Sequence, residues 1–315
     1  SINSAYMPGS IFKTVMALIG MQEGVITENS SFPCNKSLLG CHNHPTAQGV
    51  SDGVKMSCNP YFVQLARRII QQGKDPSVFK DAAIGLDIWA EYVRSFGIGV
   101  DLKTDFPTNV HGNVPDTDYY NERLNFRWAF STIQSIAIGQ GEVLITPMEM
   151  ANLAAIISNR GHYYYPHFIK DIEGSEVPEM YLTPNYTMVD SQYFEPVVDG
   201  MSRVVNESGG TARRARIDSI AVCGKTGTVE NFKKINGKVY QLTDHSNFMA
   251  FAPRENPQIA ISVFIENTGF GGTWSAPVAA LMIEKYINRT IADTAKENRI
   301  FNANLIPDID DIIRK

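Results

Sequence analysis

Three short patterns in this 315-residue chain set a hydroxyl beside an amine or an amide. The first is Ser10-Ile11-Phe12-Lys13, directly after Pro8-Gly9. Pro-Gly is a turn signal, and the apolar run Val15-Met16-Ala17-Leu18-Ile19-Gly20-Met21 follows with no Pro before Pro33. The spacing predicts a turn feeding a mostly buried helix, with Ser10 in its first turn and Lys13 on the same face. A serine hydroxyl beside an amine is a nucleophile with a built-in base. Burial against the helix would disfavour the ammonium form and let the amine accept a proton near neutral pH. The second pattern is Ser57-Cys58-Asn59, at a loop-to-helix junction before the periodic run Phe62-Val63-Leu65-Ala66-Ile69-Ile70. The third is Lys225-Thr226-Gly227-Thr228, at the end of the apolar segment Ile217–Val222.

Each pattern is weak alone. Ser-x-x-Lys recurs at Ser77-Val78-Phe79-Lys80, in a polar stretch that reads as a helix start with a solvated lysine. Ser-x-Asn recurs at Ser1-Ile2-Asn3. Their order along the chain and the context of the third pattern are what distinguish the set.

The four cysteines are Cys34, Cys41, Cys58 and Cys223. The first three share one stretch with His42 and His44, which suggests a local site and not a framework of disulfides. Three thiolates and an imidazole suit tetrahedral zinc, with Cys34, Cys41, His44 and Cys58 as the ligand set and His42 as the alternative imidazole. The rival is a Cys34–Cys41 disulfide formed in an oxidising compartment, with both histidines on the surface. Four protein ligands leave no open position, so such a metal would be structural and would brace the loop that carries Ser57 and Asn59. Cys223 reads as a small buried side chain.

The elements that must position these residues follow from the rest of the chain. At 43% hydrophobic and 19% charged the composition is globular, long enough for one large core or two lobes. A net charge of -5 argues against nucleic acid as a partner. No apolar run approaches the roughly 18 to 20 residues that span a bilayer, and no signal peptide is visible. Residues 22–60 read as loop, 77–100 as helix, and 101–127 as turn-rich. Thr146 reads as an N-cap with Pro147 as the first helical residue. Residues 160–195 form a peripheral segment, and a helix over 194–205 leads to the Gly209-Gly210 turn. Strands are expected at 217–222 running into Cys223, at 247–252 after a polar loop, and at 259–265, joined antiparallel by short connections. Pro277 opens a final apolar helix to Ile287, and 289–315 is a mixed tail.

The order Ser10-x-x-Lys13, Ser57-x-Asn59, Lys225-Thr226-Gly227 matches the set described for penicillin-binding proteins and class A β-lactamases. The longer stretches Pro8-Gly9-Ser10-x-Phe12-Lys13, Ile138-Gly139-Gln140-Gly141-Glu142, Ile145-Thr146-Pro147 and Gly224-Lys225-Thr226-Gly227-Thr228 resemble the class B penicillin-binding proteins. The likeness runs from Ser1 to about Ile287. The His-containing loop before Ser57 looks most like the penicillin-binding protein 2 type, the rod-elongation transpeptidases, some of which have a zinc site in the same loop.

The resemblance implies an α+β fold, an antiparallel sheet flanked by helices with an all-helical lobe. It implies a transpeptidase domain over 1–288 and a C-terminal tail over 289–315. In such relatives the first strands, a pedestal and a membrane anchor precede the nucleophile, so the chain is expected to lack them. The implied function is a serine D,D-transpeptidase that cross-links peptidoglycan stem peptides ending in D-Ala-D-Ala during elongation and shape maintenance, and that β-lactams acylate. Carboxypeptidase activity could accompany it. The implied place is the periplasmic face of the inner membrane, beside a membrane glycosyltransferase and elongation-complex proteins. No catalytic cofactor is implied.

The implied roles are Ser10 as nucleophile, Lys13 as its base, Ser57 as proton relay to the leaving amine, and Asn59 as a holder of substrate and Lys13. Lys225 would keep the potential positive and lower the Lys13 pKa by like charge. Gly227 would let substrate lie against the strand. The Thr226 and Thr228 hydroxyls would bind the terminal carboxylate, and the Ser10 and Thr228 N–H groups would form the oxyanion hole. Two other readings compete. A β-lactamase or β-lactam sensor would use the same acylation, but the long interval from Asn59 to Lys225 and the absence of a Glu-x-x-Leu-Asn segment count against it. A non-enzymatic, metal-braced binding module would make the motifs accidental.

Overall fold

The computed structural model describes residues 4–107, 110–235 and 237–305. Ser1-Ile2-Asn3 and the end of the tail from 306 lie outside them. The sheet is three-stranded and antiparallel, in the order Cys223–Ile235, Lys238–Ala252, Ile259–Ile265. Its logic is the two-residue period of a strand with both faces covered. On the middle strand Met249 and Phe251 face the larger core with Ile11, Phe12, Leu153 and Val197. Phe248, Ala250 and Ala252 alternate with them and face a second core with Ala276, Ala279 and Ile283. Helix Ser275–Asn288 therefore covers one face, while helices Pro147–Ser158 and Phe194–Asn206 cover the other. The helical lobe is built from Val50–Met56, Asn59–Ile70, Val78–Ser95 and Thr117–Leu124.

Several expectations are corrected. The segment 217–222 is not a strand: Ile217 and Ile220 form only an isolated bridge, and regular pairing starts at Cys223 opposite Phe251. The polar stretch after Thr228 is not a loop, because the first two strands extend into a long hairpin with a register shift between Val229 and Asn231. Its outer part sets an apolar side chain opposite a polar one in successive pairs, Asn231 with Leu242, Phe232 with Gln241 and Lys234 with Val239, so no continuous apolar face marks it in the sequence. Two short helices, Val50–Met56 and Thr117–Leu124, fall in regions read as loop and turn. Asp116 caps the second by accepting from Tyr119 N at 3.0 Å.

The Thr146 cap is as expected. Thr146 Oγ1 accepts from Glu149 N at 3.1 Å, and Thr146 N donates to Glu149 Oε2 at 2.6 Å, a reciprocal capping box. The same buried carboxylate accepts from Gly99 N at 2.8 Å and Gly112 N at 2.9 Å, tying the 98–112 connection to this helix. Beyond Asn288, helix Thr294–Phe301 rests on the domain through Lys296 Nζ on Arg216 O at 3.1 Å and Arg299 Nη2 on Thr273 O at 3.0 Å. Among the described residues no helix is long and apolar enough to cross a membrane.

Candidate active site

The nucleophile turn is a 3-10 turn, Gly9–Phe12, that hands over to the helix at Lys13. Its neighbours fix it on two sides. Gly9 N donates to Gly139 O at 2.8 Å, so the Ile138–Gly141 stretch braces it from below. The Lys225 strand braces it from the side. Gly9 has φ +57°, and a Cβ there would stand 2.8 Å from Thr228 O. A Cβ on Gly227 would stand 2.6 Å from Pro8 O. Both positions need glycine because backbone meets backbone. Beside the expected approach of substrate, Gly227 thus has a second reason in the structure: the nucleophile turn of the same chain packs against it.

Ser57 ends the short helix Val50–Met56 in the left-handed region, φ +55°, a conformation unusual for a serine. It aims the hydroxyl between two amines. Lys13 Nζ donates to Ser57 Oγ at 3.1 Å, to Ser57 O at 2.7 Å and to Asn59 Oδ1 at 2.6 Å. Lys225 Nζ donates to Ser57 Oγ at 3.0 Å and to Thr226 O at 3.2 Å. Asn59 Nδ2 turns the other way and donates to Gly40 O at 2.7 Å.

Both lysines are fully buried. Burial lowers the Lys13 pKa to about 7, while the neighbouring Cys41 and Cys58 act weakly against it. Burial first, and then the like charge of Lys13, pushes Lys225 well below the ordinary lysine range. Burial lowers Lys13 as expected, but the like charge acts the other way round from the expectation: Lys13 depresses Lys225, which is itself held toward the neutral form. The two amines share one hydroxyl and compete for charge. The guanidinium groups of Arg213 and Arg214 line the cleft above and add positive charge there.

That cleft, about 640 Å³, is lined by Ser10, Ser57, Asn59, Thr226 and Thr228, with Lys13 and Lys225 buried behind Ser57. The Lys225 strand is an outer strand of the described sheet, so half its backbone groups lack a strand partner on the cleft side. Ser77 and Lys80 lie elsewhere: Ser77 Oγ accepts from Lys80 N at 3.5 Å as a helix cap, and Lys80 is exposed. Sequence reasoning missed Thr211, Arg213 and Arg214 as cleft residues. The Gly209-Gly210 turn before them marked a change of direction and gave no sign of where the next residues point.

The cysteine cluster sits under the same floor. One ligand atom from each of Cys34, Cys41, His44 and Cys58 lies within 4.8 Å of all the others. His44 Nε2 is 3.3 Å from Cys41 Sγ and 3.5 Å from Cys34 Sγ, while its Nδ1 lies 2.6 Å from Pro45 O. A carbonyl on Nδ1 holds the proton there and leaves Nε2 as the free donor atom. His42 is exposed and lines the cleft instead. All four cysteines are free, so the Cys34–Cys41 disulfide is not formed. Cys223 is buried apart from the cluster, its pKa raised to about 12 by burial.

Comparison with known proteins agrees with this geometry. The penicillin binding protein transpeptidase domain matches residues 1–284. Peptidoglycan D,D-transpeptidase MrdA of Haemophilus influenzae is 29% identical over 93% of this chain and 46% of its own length. MrdA of Escherichia coli K12 is 27% identical over 84% of the chain and 43% of its length. The chain thus spans less than half of these relatives. Among solved structures, Pseudomonas aeruginosa PBP2 in complex with WCK 5153 superposes with a TM-score of 0.71 at 26% identity, over 91% of this chain and 62% of that one. The nucleophile turn, the Ser57 junction and the Lys225 strand all fall inside the matched 1–284 region, and the chain belongs to the penicillin binding protein transpeptidase domain family.

Proposed function

We propose that this chain is the catalytic domain of a peptidoglycan D,D-transpeptidase of wall elongation that works through a serine acyl-enzyme and is acylated by β-lactams. One observation carries the reading. A single hydroxyl, Ser57 Oγ, stands between two buried amines at 3.1 and 3.0 Å, in the floor of the cleft that Ser10 lines. Ser10 Oγ attacks the carbonyl carbon of the penultimate D-Ala, and its proton passes to neutral Lys13. The oxyanion is held by the Ser10 and Thr228 N–H groups, each donor of this kind being worth ~3–4 kcal/mol. The C–N bond then breaks, and the terminal D-Ala leaves with a proton relayed through Ser57. An acceptor amine attacks the ester, gives up a proton by the same route, and frees Ser10. The Thr226 and Thr228 hydroxyls hold the terminal carboxylate, and Arg213 and Arg214 favour an anionic substrate end.

We also infer that Cys34, Cys41, His44 and Cys58 hold structural zinc. Three sulfurs, an imidazole nitrogen and a carbonyl behind the imidazole fit that ion. It would brace the loop from which Gly40 O holds Asn59. On the same reading the domain works at the periplasmic face of the inner membrane beside a glycosyltransferase and other elongation proteins. The PBP2 of Helicobacter pylori has been solved in complex with MreC.

Labelling with a fluorescent penicillin and peptide mapping tests the main reading. The expected result is one long-lived adduct on Ser10. Adduct hydrolysis within seconds would move the reading to a β-lactamase, and absence of labelling in folded protein would end it.

A further inference from the structure

Thr226 Oγ1 has a partner that the motif does not contain. Thr211 Oγ1 lies 2.8 Å away, and both residues line the cleft with Ser10. Thr211 is not held there loosely. It follows the Gly209-Gly210 turn, where Gly210 N donates to Glu207 O at 3.2 Å and Ala212 N donates to Val204 O at 3.1 Å. On the other side Gly272 packs so close that a Cβ there would stand 2.2 Å from Thr211 O. The Thr211 backbone is therefore clamped between helix Phe194–Asn206 and the Gly271-Gly272 turn, and its hydroxyl is presented to Thr226 at a fixed distance.

A hydroxyl has one proton to donate and lone pairs to accept with. If Thr226 is to donate to a carboxylate in the cleft, its oxygen can still accept from a second hydroxyl. Thr211 is placed for that. Donation from Thr211 to Thr226 turns the Thr226 proton away from Thr211 and into the cleft, and polarises it toward an anion. Without Thr211 the Thr226 hydroxyl can rotate, and an anion must pay to orient it.

We propose that Thr211 is a positioning residue for carboxylate recognition: it orients the Thr226 hydroxyl toward the anionic end of the substrate or of a β-lactam, and does not touch the reacting bond. The proposal rests on the transpeptidase reading and adds a residue outside its three motifs.

The test is the acylation rate of the wild-type chain, Thr211→Val and Thr211→Ser by benzylpenicillin and by its methyl ester, each read by competition with a fluorescent penicillin. Valine keeps the shape and removes the hydroxyl, while serine keeps the hydroxyl. Thr211→Val should slow the acid about fivefold, the scale of one hydrogen bond, and leave the ester within about twofold. Thr211→Ser should restore the acid rate. Equal slowing of acid and ester, or no restoration by serine, would show a merely structural role and overturn the proposal, as would an unchanged acid rate in Thr211→Val. A melting temperature for each variant keeps misfolding apart from these outcomes, and if valine unfolds the chain, Thr211→Ala is read in the same way. A wild-type chain that neither compound acylates would overturn the transpeptidase reading itself, and this proposal with it.

Discussion

Lys13 Nζ and Asn59 Oδ1 are 2.6 Å apart, although 46 positions separate the two residues in the chain. This contact joins the nucleophile helix to the helical lobe, between a fully buried amine and a part-buried amide that lines the cleft. Asn59 uses its other amide atom on Gly40 O, so one side chain links the base, the Ser57 junction and the cysteine loop. Replacing Asn59 by Ala leaves a buried amine short of an acceptor and a carbonyl short of a donor. The expected loss is about 1–3 kcal/mol of stability, read by urea denaturation, with penicillin acylation slowed at least about tenfold. Unchanged acylation would remove Asn59 from the site.

Ser10→Ala should abolish covalent penicillin labelling and leave the melting temperature nearly unchanged, since a hydroxyl with no hydrogen-bond partner among the described residues is replaced by a smaller group. Ser77→Ala should label as the wild type does. A labelled Ser10→Ala chain would show that another serine reacts.

The pH dependence follows from Lys13. Burial disfavours its charged form and brings its pKa to about 7. The neutral amine is the form that accepts the Ser10 proton, so the acylation rate should rise as pH rises through about 7 and fall on the acid side as the amine is protonated. Rates measured across this range at constant ionic strength check it. A flat profile between roughly pH 6 and 8 would exclude Lys13 as the base.

Gly227→Ala drives a methyl group to 2.6 Å from Pro8 O, a backbone atom that can move only if the nucleophile turn moves. Overpacking of this kind costs about 1–3 kcal/mol. Acylation should slow together with the loss in melting temperature. A variant with full acylation and full stability would mean that the strand and the turn are further apart than 2.6 Å implies.

Metal content is measured on protein purified without added metal. About one zinc per chain is expected for a four-ligand site, and Cys41→Ser should lose most of it. Chelation should lower the melting temperature and slow acylation while the adduct still maps to Ser10. Protein without zinc, carrying an intact Cys34–Cys41 disulfide by mass spectrometry, would overturn the assignment.

The sequence alone determined the local chemistry. Pro8-Gly9 ahead of an apolar run marks a turn and a buried helix, and Thr146-Pro147 marks a capped one, because these signals act over a few residues. The three cysteines and two histidines between residues 34 and 58 marked a cluster because they share one loop-like stretch of chain. The helices and the later antiparallel strand segments were legible from the pattern, and the family resemblance implied the α+β arrangement. What the tertiary structure decided was everything that depends on contacts between distant segments. The outer hairpin and the short helices Val50–Met56 and Thr117–Leu124 take their shape from pairing and capping that leave no apolar period. The desolvation of Lys225, the turn that presses on Gly227 and the Thr211 hydroxyl behind Thr226 each arise where a distant segment closes on the Lys225 strand. A sequence names the residues on each segment, but burial and approach distances exist only once the segments are brought together.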